Sequence, residues 1–181
     1  MRIFTLIFFI FFTPVNSDNF EQKNKLNELF NQLQKVNNSK TAKLLEKEIW
    51  SVWNEHPNNN KLTEKLEFGS ELMEYGSYNY ALQVFNNILI TDPKWSEAWN
   101  KRATLFFLMN QYQKSLNDIE KVLKIESRHF GALSGQAQIF IKLQEYEKAI
   151  VSIKKALKFY PSFRSGKLIP EIERLIREES I

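Results

Sequence analysis

The sequence predicts an all-α fold in which antiparallel helical hairpins stack into a superhelix. Three windows that begin at Leu62, Ser96 and Phe130 align without a gap at a period of 34 residues. Each window contains two stretches with apolar residues at helical spacing, separated by a short polar break such as Gly76-Ser77. Each window is therefore predicted to form one helical hairpin. The three predicted repeats span residues 62–95, 96–129 and 130–163.

The positions that recur in the windows are those at which packed helices touch. Small residues let the two helices of a hairpin approach closely, and larger apolar residues fill the space between them. The small residues are Gly69, Ala103 and Ala137 in the first stretch and Ala81, Ser115 and Ala149 in the second. Proline cannot continue a helix, so Pro93 and Pro161 are predicted to follow the second helices of their windows.

The pattern of Trp99, Ala103, Phe106, Tyr112, Ser115, Ile119 and Val122 resembles the tetratricopeptide repeat (TPR). The resemblance implies a right-handed α-α superhelix, whose concave side is lined by the first helix of each hairpin and receives ligand peptides. The runs 99–104 and 126–135 are also similar to stretches of small exported TPR proteins of alphaproteobacteria. This narrower likeness implies a periplasmic location if the protein is bacterial.

The flanking segments are predicted to cap the array, because a stack of repeats cannot leave its terminal apolar faces bare. Residues 18–60 are expected to form a degenerate hairpin and a linker, with Leu26, Leu29, Phe30 and Leu33 on one face of its first helix. Residues 164–181 are expected to form a C-terminal capping helix with Ile169, Ile172, Leu175 and Ile176 facing inward. Pro170 fits only in the first turn of that helix, where a missing N–H does little harm.

Residues 1–17 have the features of a signal peptide. Arg2 precedes an apolar stretch over residues 3–12, and Pro14 is followed by Val15 and Ser17, short residues that are typical of a cleavage site before Asp18. The alternative is an uncleaved amphipathic or membrane anchor. The sequence therefore predicts an exported protein with no stable membrane span after cleavage.

Composition argues against most catalytic chemistry. The chain has no cysteine and only two histidines, which leaves no thiolate nucleophile and few metal ligands. The sequence contains no phosphate-cradling glycine loop and no zinc-binding His-Glu-x-x-His pair. The 25 Lys and Arg exceed the 21 Asp and Glu by only four, too few to indicate nucleic acid. We expect a protein that is not an enzyme, without a cofactor or a metal.

The resemblance places a candidate peptide-binding groove on the first helices of the three repeats. Its mixture of apolar, amide and hydroxyl side chains suits a polypeptide ligand. The groove residues are Leu66, Ser70, Met73, Asn100, Lys101, Thr104, Phe107, Ser134, Gln138 and Ile141. The alternative is that the apolar members only seal one hairpin against the next. A complete carboxylate clamp, as some members of the family have, is absent because the other clamp positions hold Leu66, Ser70, Gly131 and Gly135.

Together these observations predict an exported scaffold or adaptor that binds a protein or peptide on its concave face. Two alternatives stay open: a structural protein that self-associates through its helices or terminal faces, and a non-catalytic helper of a cell-envelope enzyme. A monomer is the favoured oligomeric state, and the identity of the partner cannot be read from the sequence.

Overall fold

The structure, a computed structural model, describes residues 17–179 and is helical through most of that range. The predicted signal peptide, apart from Ser17, lies outside the described residues. The elements are α1 (Ser17–Leu33), α2 (Ser39–Asn54), α3 (Asn60–Glu74), α4 (Tyr78–Thr91), α5 (Ser96–Leu108), α6 (Tyr112–Ile125), α7 (Phe130–Lys142), α8 (Tyr146–Phe159), a 3₁₀ helix (Arg164–Leu168) and α9 (Ile169–Glu179). Within the described range, no helix is both long and apolar enough to cross a bilayer.

The three hairpins α3–α4, α5–α6 and α7–α8 follow the 34-residue period. Their second helices begin at Tyr78, Tyr112 and Tyr146, and their first helices end at the equivalent positions 74, 108 and 142. The turn inside each hairpin contains one residue with positive φ, at Gly76, Asn110 and Gln144, which again lie 34 residues apart. Such a residue after a helix redirects the chain, so all three hairpins reverse direction in the same way.

The two helices of a hairpin approach closely where small residues were predicted. A Cβ built on Gly69 would come within 2.6 Å of the Phe85 ring in α4, so only glycine fits there without movement. In the second hairpin Ser115 is buried, and its hydroxyl donates to the Ala103 carbonyl oxygen at 2.7 Å. Close approach therefore holds each hairpin together, as the spacing of small residues predicts.

The C-terminal helix covers the last repeat. Ile172 is buried against α7 and α8, with Ile169, Leu175 and Ile176 partly buried beside it. Pro170 is the second residue of α9, in the first turn. Helix α9 therefore covers this end of the array.

The N-terminal hairpin α1–α2 lies elsewhere than at the end of the array. Its buried residues Leu26, Leu29, Phe30, Leu33, Ala42, Leu45, Ile49, Val52 and Trp53 form one cluster with Phe130, Leu133, Ala156, Tyr160 and Phe163 of the third repeat. We expected these helices to cap the first repeat, and their faces are buried as predicted, but against a distant partner. The physical reason is aromatic packing, since Phe30 and Trp53 meet Phe130 with ring centroids 6.2 and 5.0 Å apart.

Candidate functional site

Helix α2 runs along the inner side of the array, next to the starts of α5 and α7. The Trp50 ring lies where a side chain at position 131 would stand, so Gly131 is needed for this contact. The Trp53 ring stacks on the His129 ring, with centroids 3.9 Å apart. The indole nitrogen of Trp95, just before α5, donates to the Trp53 carbonyl oxygen at 3.0 Å. The concave side is thus partly filled by the chain's own hairpin.

Helix α1 is held to the turn between the second and third repeats by Arg128. This guanidinium donates to the Asn27 side chain at 2.8 Å and lies over the Phe30 ring, 4.5 Å from its centroid. Arg128 also forms two hydrogen bonds, at 2.7 and 2.8 Å, with the Glu126 carboxylate. Burial raises the pKa of Glu126, but the hydrogen bonds and the charge of Arg128 lower it by more, so its pKa lies below the usual value.

A buried polar network joins α5 to the start of α7. His129 and Glu97 are both fully buried, and His129 Nε2 lies 2.9 Å from Glu97 Oε2. His129 Nδ1 accepts from the Ala132 N–H, so the ring proton sits on Nε2, which donates to Glu97. Asn100 donates to the same carboxylate at 3.1 and 3.3 Å, and Lys101 Nζ lies 3.6 Å from it. The Glu97 charge is therefore compensated inside the protein, and its carboxylate is not accessible to a ligand.

The space left open on the concave side is a cleft between α2, α5 and α7 with a volume of about 270 Å³. Phe107 is half-buried on its α5 wall, and Gln138 is exposed on its α7 wall. The Gln138 side chain makes no hydrogen bond to any part of the chain that the structure describes. The lining residues are Glu46, Trp50, Asn100, Ala103, Thr104, Phe107, Ser115, Ile119, Phe130, Gly131, Ala132, Ser134, Gly135, Gln138, Phe163 and Arg164.

A wider and more basic depression continues from the cleft past Trp50 and Phe163. Lys43, Lys47 and Arg164 line it, together with Glu46, which accepts a hydrogen bond from the Tyr160 hydroxyl at 3.1 Å. Burial raises the pKa of Tyr160 to about 12, with further contributions from the charge and the hydrogen bond of Glu46. The tyrosine is therefore a neutral donor at physiological pH and fixes the Glu46 carboxylate at the edge of the cleft.

Comparison with known proteins identifies the repeats. A family model described as tetratricopeptide repeat matches residues 96–129 and 131–163, which are the second and third windows to within one residue. Residues 96–129 and 131–163 are therefore tetratricopeptide repeats. A TPR repeat-containing protein of Rhizobium etli is 37% identical over 112 residues, covering 62% of this chain and 54% of the relative. The chain thus spans about half the length of the curated relative it matches.

Solved TPR structures share the fold at low sequence identity. The first TPR of Spaghetti (RPAP3), described as bound to the HSP90 peptide SRMEEVD, superposes with a TM-score of 0.62 at 17% identity, over 66% of this chain and 96% of that one. A tetratricopeptide repeat protein of Parabacteroides merdae superposes with a TM-score of 0.60 at 21% identity, over 86% of this chain and 61% of that one. The TPR2B domain of yeast Sti1, described as a pHsp70 complex, superposes with a TM-score of 0.56 at 18% identity, over 67% of this chain and 98% of that one. These similarities establish an all-α TPR solenoid.

The structure divides the ten predicted groove residues into three groups. Asn100, Thr104, Phe107, Ser134 and Gln138 line the cleft. Leu66, Ser70 and Lys101 line a separate shallow depression with Asn54, Glu67, Glu71 and Glu74. Met73 and Ile141 line neither. Met73 is partly buried in a cluster that the first and second repeats share, and Ile141 in one that the third repeat shares with α9. For these two residues the structure favours the alternative of a packing role.

Sequence reasoning missed the cleft residues Glu46, Trp50 and Arg164, which lie outside the three repeats, and Phe163, the last residue of the third. Glu46 and Trp50 belong to α2, and Phe163 and Arg164 lie just after α8, at or beyond the edge of the third window. A period-based comparison assigns positions only within the windows. The one available signal was Gly131-Ala132, small residues at the start of a first helix, which marks a place where another element comes close.

Proposed function

We propose that this protein binds a segment of another polypeptide in the cleft between α2, α5 and α7, and performs no chemistry on it. The observation that carries the proposal is the cleft itself, open at Thr104 and Gln138 although a hairpin occupies the rest of the inner side. Its volume of about 270 Å³ lies at the lower limit of the about 300–1,000 Å³ typical of small-molecule pockets. The space therefore suits a side chain and its backbone better than a whole metabolite.

The chemistry of the walls fits a peptide. The free Gln138 amide can both donate to and accept from a peptide backbone, while the Phe107 ring offers an apolar contact. Gly135 leaves room for a backbone to lie close to α7, whereas the space beside Gly131 is filled by the Trp50 ring. Asn100 was expected to bind the ligand directly, but its amide donates to the buried Glu97 and so supports the wall. The HSP90 peptide named with Spaghetti and the pHsp70 complex named with Sti1 support a polypeptide ligand.

The absence of catalysis is part of the proposal and rests on how the titratable groups are used. Glu46 is the acid that lines the cleft, and its carboxylate accepts a hydrogen bond from the Tyr160 hydroxyl. Glu97 and His129 are fully buried and bonded to each other. The part of the chain that the structure describes contains no group of three side chains able to hold a metal ion. What remains at the cleft is suited to holding a ligand rather than to proton transfer.

A blocking substitution tests the cleft. A Cβ at Gly135 would have only Ile119 nearby, at 3.8 Å, so Gly135→Phe should be accommodated by directing its ring into the cleft. Peptides selected from a displayed random library on the full chain should bind with micromolar dissociation constants, about −8 kcal/mol. We expect Gly135→Phe to weaken that binding at least tenfold, measured by fluorescence polarisation of a labelled selected peptide.

The matched control places the same ring on an exposed helix position away from the cleft, as Lys154→Phe on α8. This variant should bind the selected peptides as the parent chain does. If Gly135→Phe keeps both its melting temperature and its peptide affinity, the cleft is not the binding site.

We also propose that the protein is exported, to the periplasm of a bacterium, because residues 1–17 have the order of charged, apolar and small residues expected of a signal peptide. Expression of the full-length chain in a Gram-negative host, followed by N-terminal sequencing of the periplasmic fraction, should find a new terminus at Asp18. Recovery of the whole chain uncut from the cytoplasm would contradict export by this route.

A further inference from the structure

The N-terminal end of the array, formed by α3 and α4, exposes an apolar face. Phe68, Tyr75 and Tyr80 are 54%, 85% and 67% exposed, and Leu72 and Val84 beside them are only partly buried. We call these five residues the end face. Because α1 and α2 pack against the third repeat, the hairpin expected to cover this face lies elsewhere.

The end face is more apolar than the equivalent surface of the internal repeats. Arg102 is equivalent to Phe68, 34 residues later, and Asp118 is equivalent to Val84. The Arg102 guanidinium donates to the Asp118 carboxylate at 2.7 and 2.8 Å, and to the Asn86 side chain of the preceding hairpin at 2.8 Å. In the third repeat this pair is Gln136 and Ser152, hydrogen-bonded at 2.9 Å.

Terminal repeats of a solenoid are normally the more polar ones. Here the terminal repeat carries Phe68 and Val84 where both internal repeats carry a bonded polar pair. Polar residues, which suit an exposed surface, thus lie between the repeats, and apolar residues, which suit a covered surface, lie at the exposed end. This reversal indicates that the end face is covered when the protein functions.

The charges that flank Phe68 indicate what covers it. In an α-helix, the residues at positions i − 3 and i + 4 lie on one side of residue i, and those at i − 4 and i + 3 lie on the other side. Lys65 therefore lies on the α4 side of Phe68, while Glu64 and Glu71 lie on the concave side, where Glu71 borders the depression with Lys101. All three are exposed, and none forms an ion pair within residues 17–179.

We propose that a second copy of this chain docks on the end face as a two-fold dimer, with the axis running along α3 through Phe68. Such an axis places the α4 side of Phe68 in one copy opposite the concave side of Phe68 in the other. Lys65 of each copy therefore meets Glu64 and Glu71 of the other, while the Phe68 rings pack together. Stacking of the end face on the opposite end of another copy is disfavoured, because α9 covers that end.

The size of the face sets the expected affinity. The 15 residues of α3 span about 22 Å, and the strip that the two copies share about an axis on α3 is about one helix, or 10 Å, wide. The footprint is therefore on the order of 200 Å² for each copy, about a quarter of that of a standard interface. We expect a dissociation constant on the order of 100 μM, which corresponds to a weak, reversible dimer.

Sedimentation velocity of the full-length chain, between about 1 and 300 μM, tests the proposal. The weight-average mass should rise from monomer to dimer and go no further. Phe68→Ser should raise the dissociation constant at least tenfold. The variant Lys65→Glu has only acidic side chains on the two sides of Phe68. The double variant Glu64→Lys with Glu71→Lys has only lysines there. Like charges would meet in a dimer of either variant, so each variant alone should stay monomeric. An equimolar mixture of the two should dimerise, because opposite charges meet again at both edges.

The mixture keeps the test sharp even if one variant is less stable, because only a correctly folded pair with complementary edges can recover the dimer. The matched control is charge reversal on the convex surface, Lys154→Glu with Lys155→Glu, which should dimerise like the parent chain. A monomer at every concentration, a higher oligomer, dimerisation of Phe68→Ser at parental strength, or no recovery in the mixture would each overturn the proposal. Gly135→Phe should leave dimerisation unchanged, which separates this interface from the peptide cleft.

Discussion

Replacing Phe130 by alanine is expected to lower the free energy of unfolding by about 3–5 kcal/mol and to loosen the N-terminal hairpin from the array. Phe130 is fully buried, and its ring lies within 6.2 Å, between centroids, of the rings of Phe30, Trp50, Trp53, Tyr160 and Phe163. Alanine leaves a cavity at the centre of this cluster, and the hairpin cannot close it without leaving α7. Urea denaturation gives the free energy, and hydrogen exchange of residues 17–54 reports the loosening.

Phe85→Ala is the matched control because Phe85 is equally buried but packs within the first repeat, against α3. It should cost a similar free energy, about 3–5 kcal/mol, without a selective rise in exchange over residues 17–54. If Phe130→Ala and Phe85→Ala loosen the N-terminal hairpin to the same degree, the aromatic cluster does not anchor that hairpin.

Glu97→Ala is expected to destabilise the protein by about 3–5 kcal/mol, the cost of removing one partner from a buried charged network. The substitution leaves the Nε2–H of His129 and the Asn100 amide buried without their acceptor. Because His129 stacks on Trp53, we also expect the tryptophan emission to shift as α2 adjusts. Chemical denaturation followed by fluorescence measures both effects in one experiment.

Two comparisons show whether the network is responsible. Glu120→Ala removes an exposed acid whose partner is the neighbouring Lys124, and its effect should be too small to distinguish from the parent chain. The loss in free energy of unfolding for the double variant His129→Ala with Glu97→Ala should be clearly smaller than the sum of the losses for the two single variants. The contact between the two side chains is lost in each single variant and is therefore counted twice in that sum. Strict additivity in this cycle would mean that the 2.9 Å contact contributes no coupling.

The repeats could be predicted from the sequence because each depends on contacts within a short window. Gly69 meets Phe85 and Ser115 meets Ala103 inside single hairpins, so spacing alone places them together. The C-terminal cap was predictable for the same reason, since α9 follows directly on the repeat it covers. Local patterning therefore determined helices α3 to α9.

The position of the N-terminal hairpin could not be predicted in this way. The spacing of Leu29, Phe30 and Leu33 shows which side of α1 is buried but not what buries it. The contact of Trp50 with Gly131 depends on two elements far apart in the chain. The hairpin forms one wall of the cleft, and five of the ten predicted groove residues line that cleft.

The same hairpin changes how the molecule should unfold. In an open solenoid each repeat touches only its neighbours, so the ends can unravel while the middle stays folded. Here Asn27 is bonded to Arg128, and Gln34 to the main chain at Lys158, partners 101 and 124 residues away. These long-range links tie the beginning of the chain to its last repeat, so the described range should melt as a single cooperative unit and should fold more slowly than an open array of equal length.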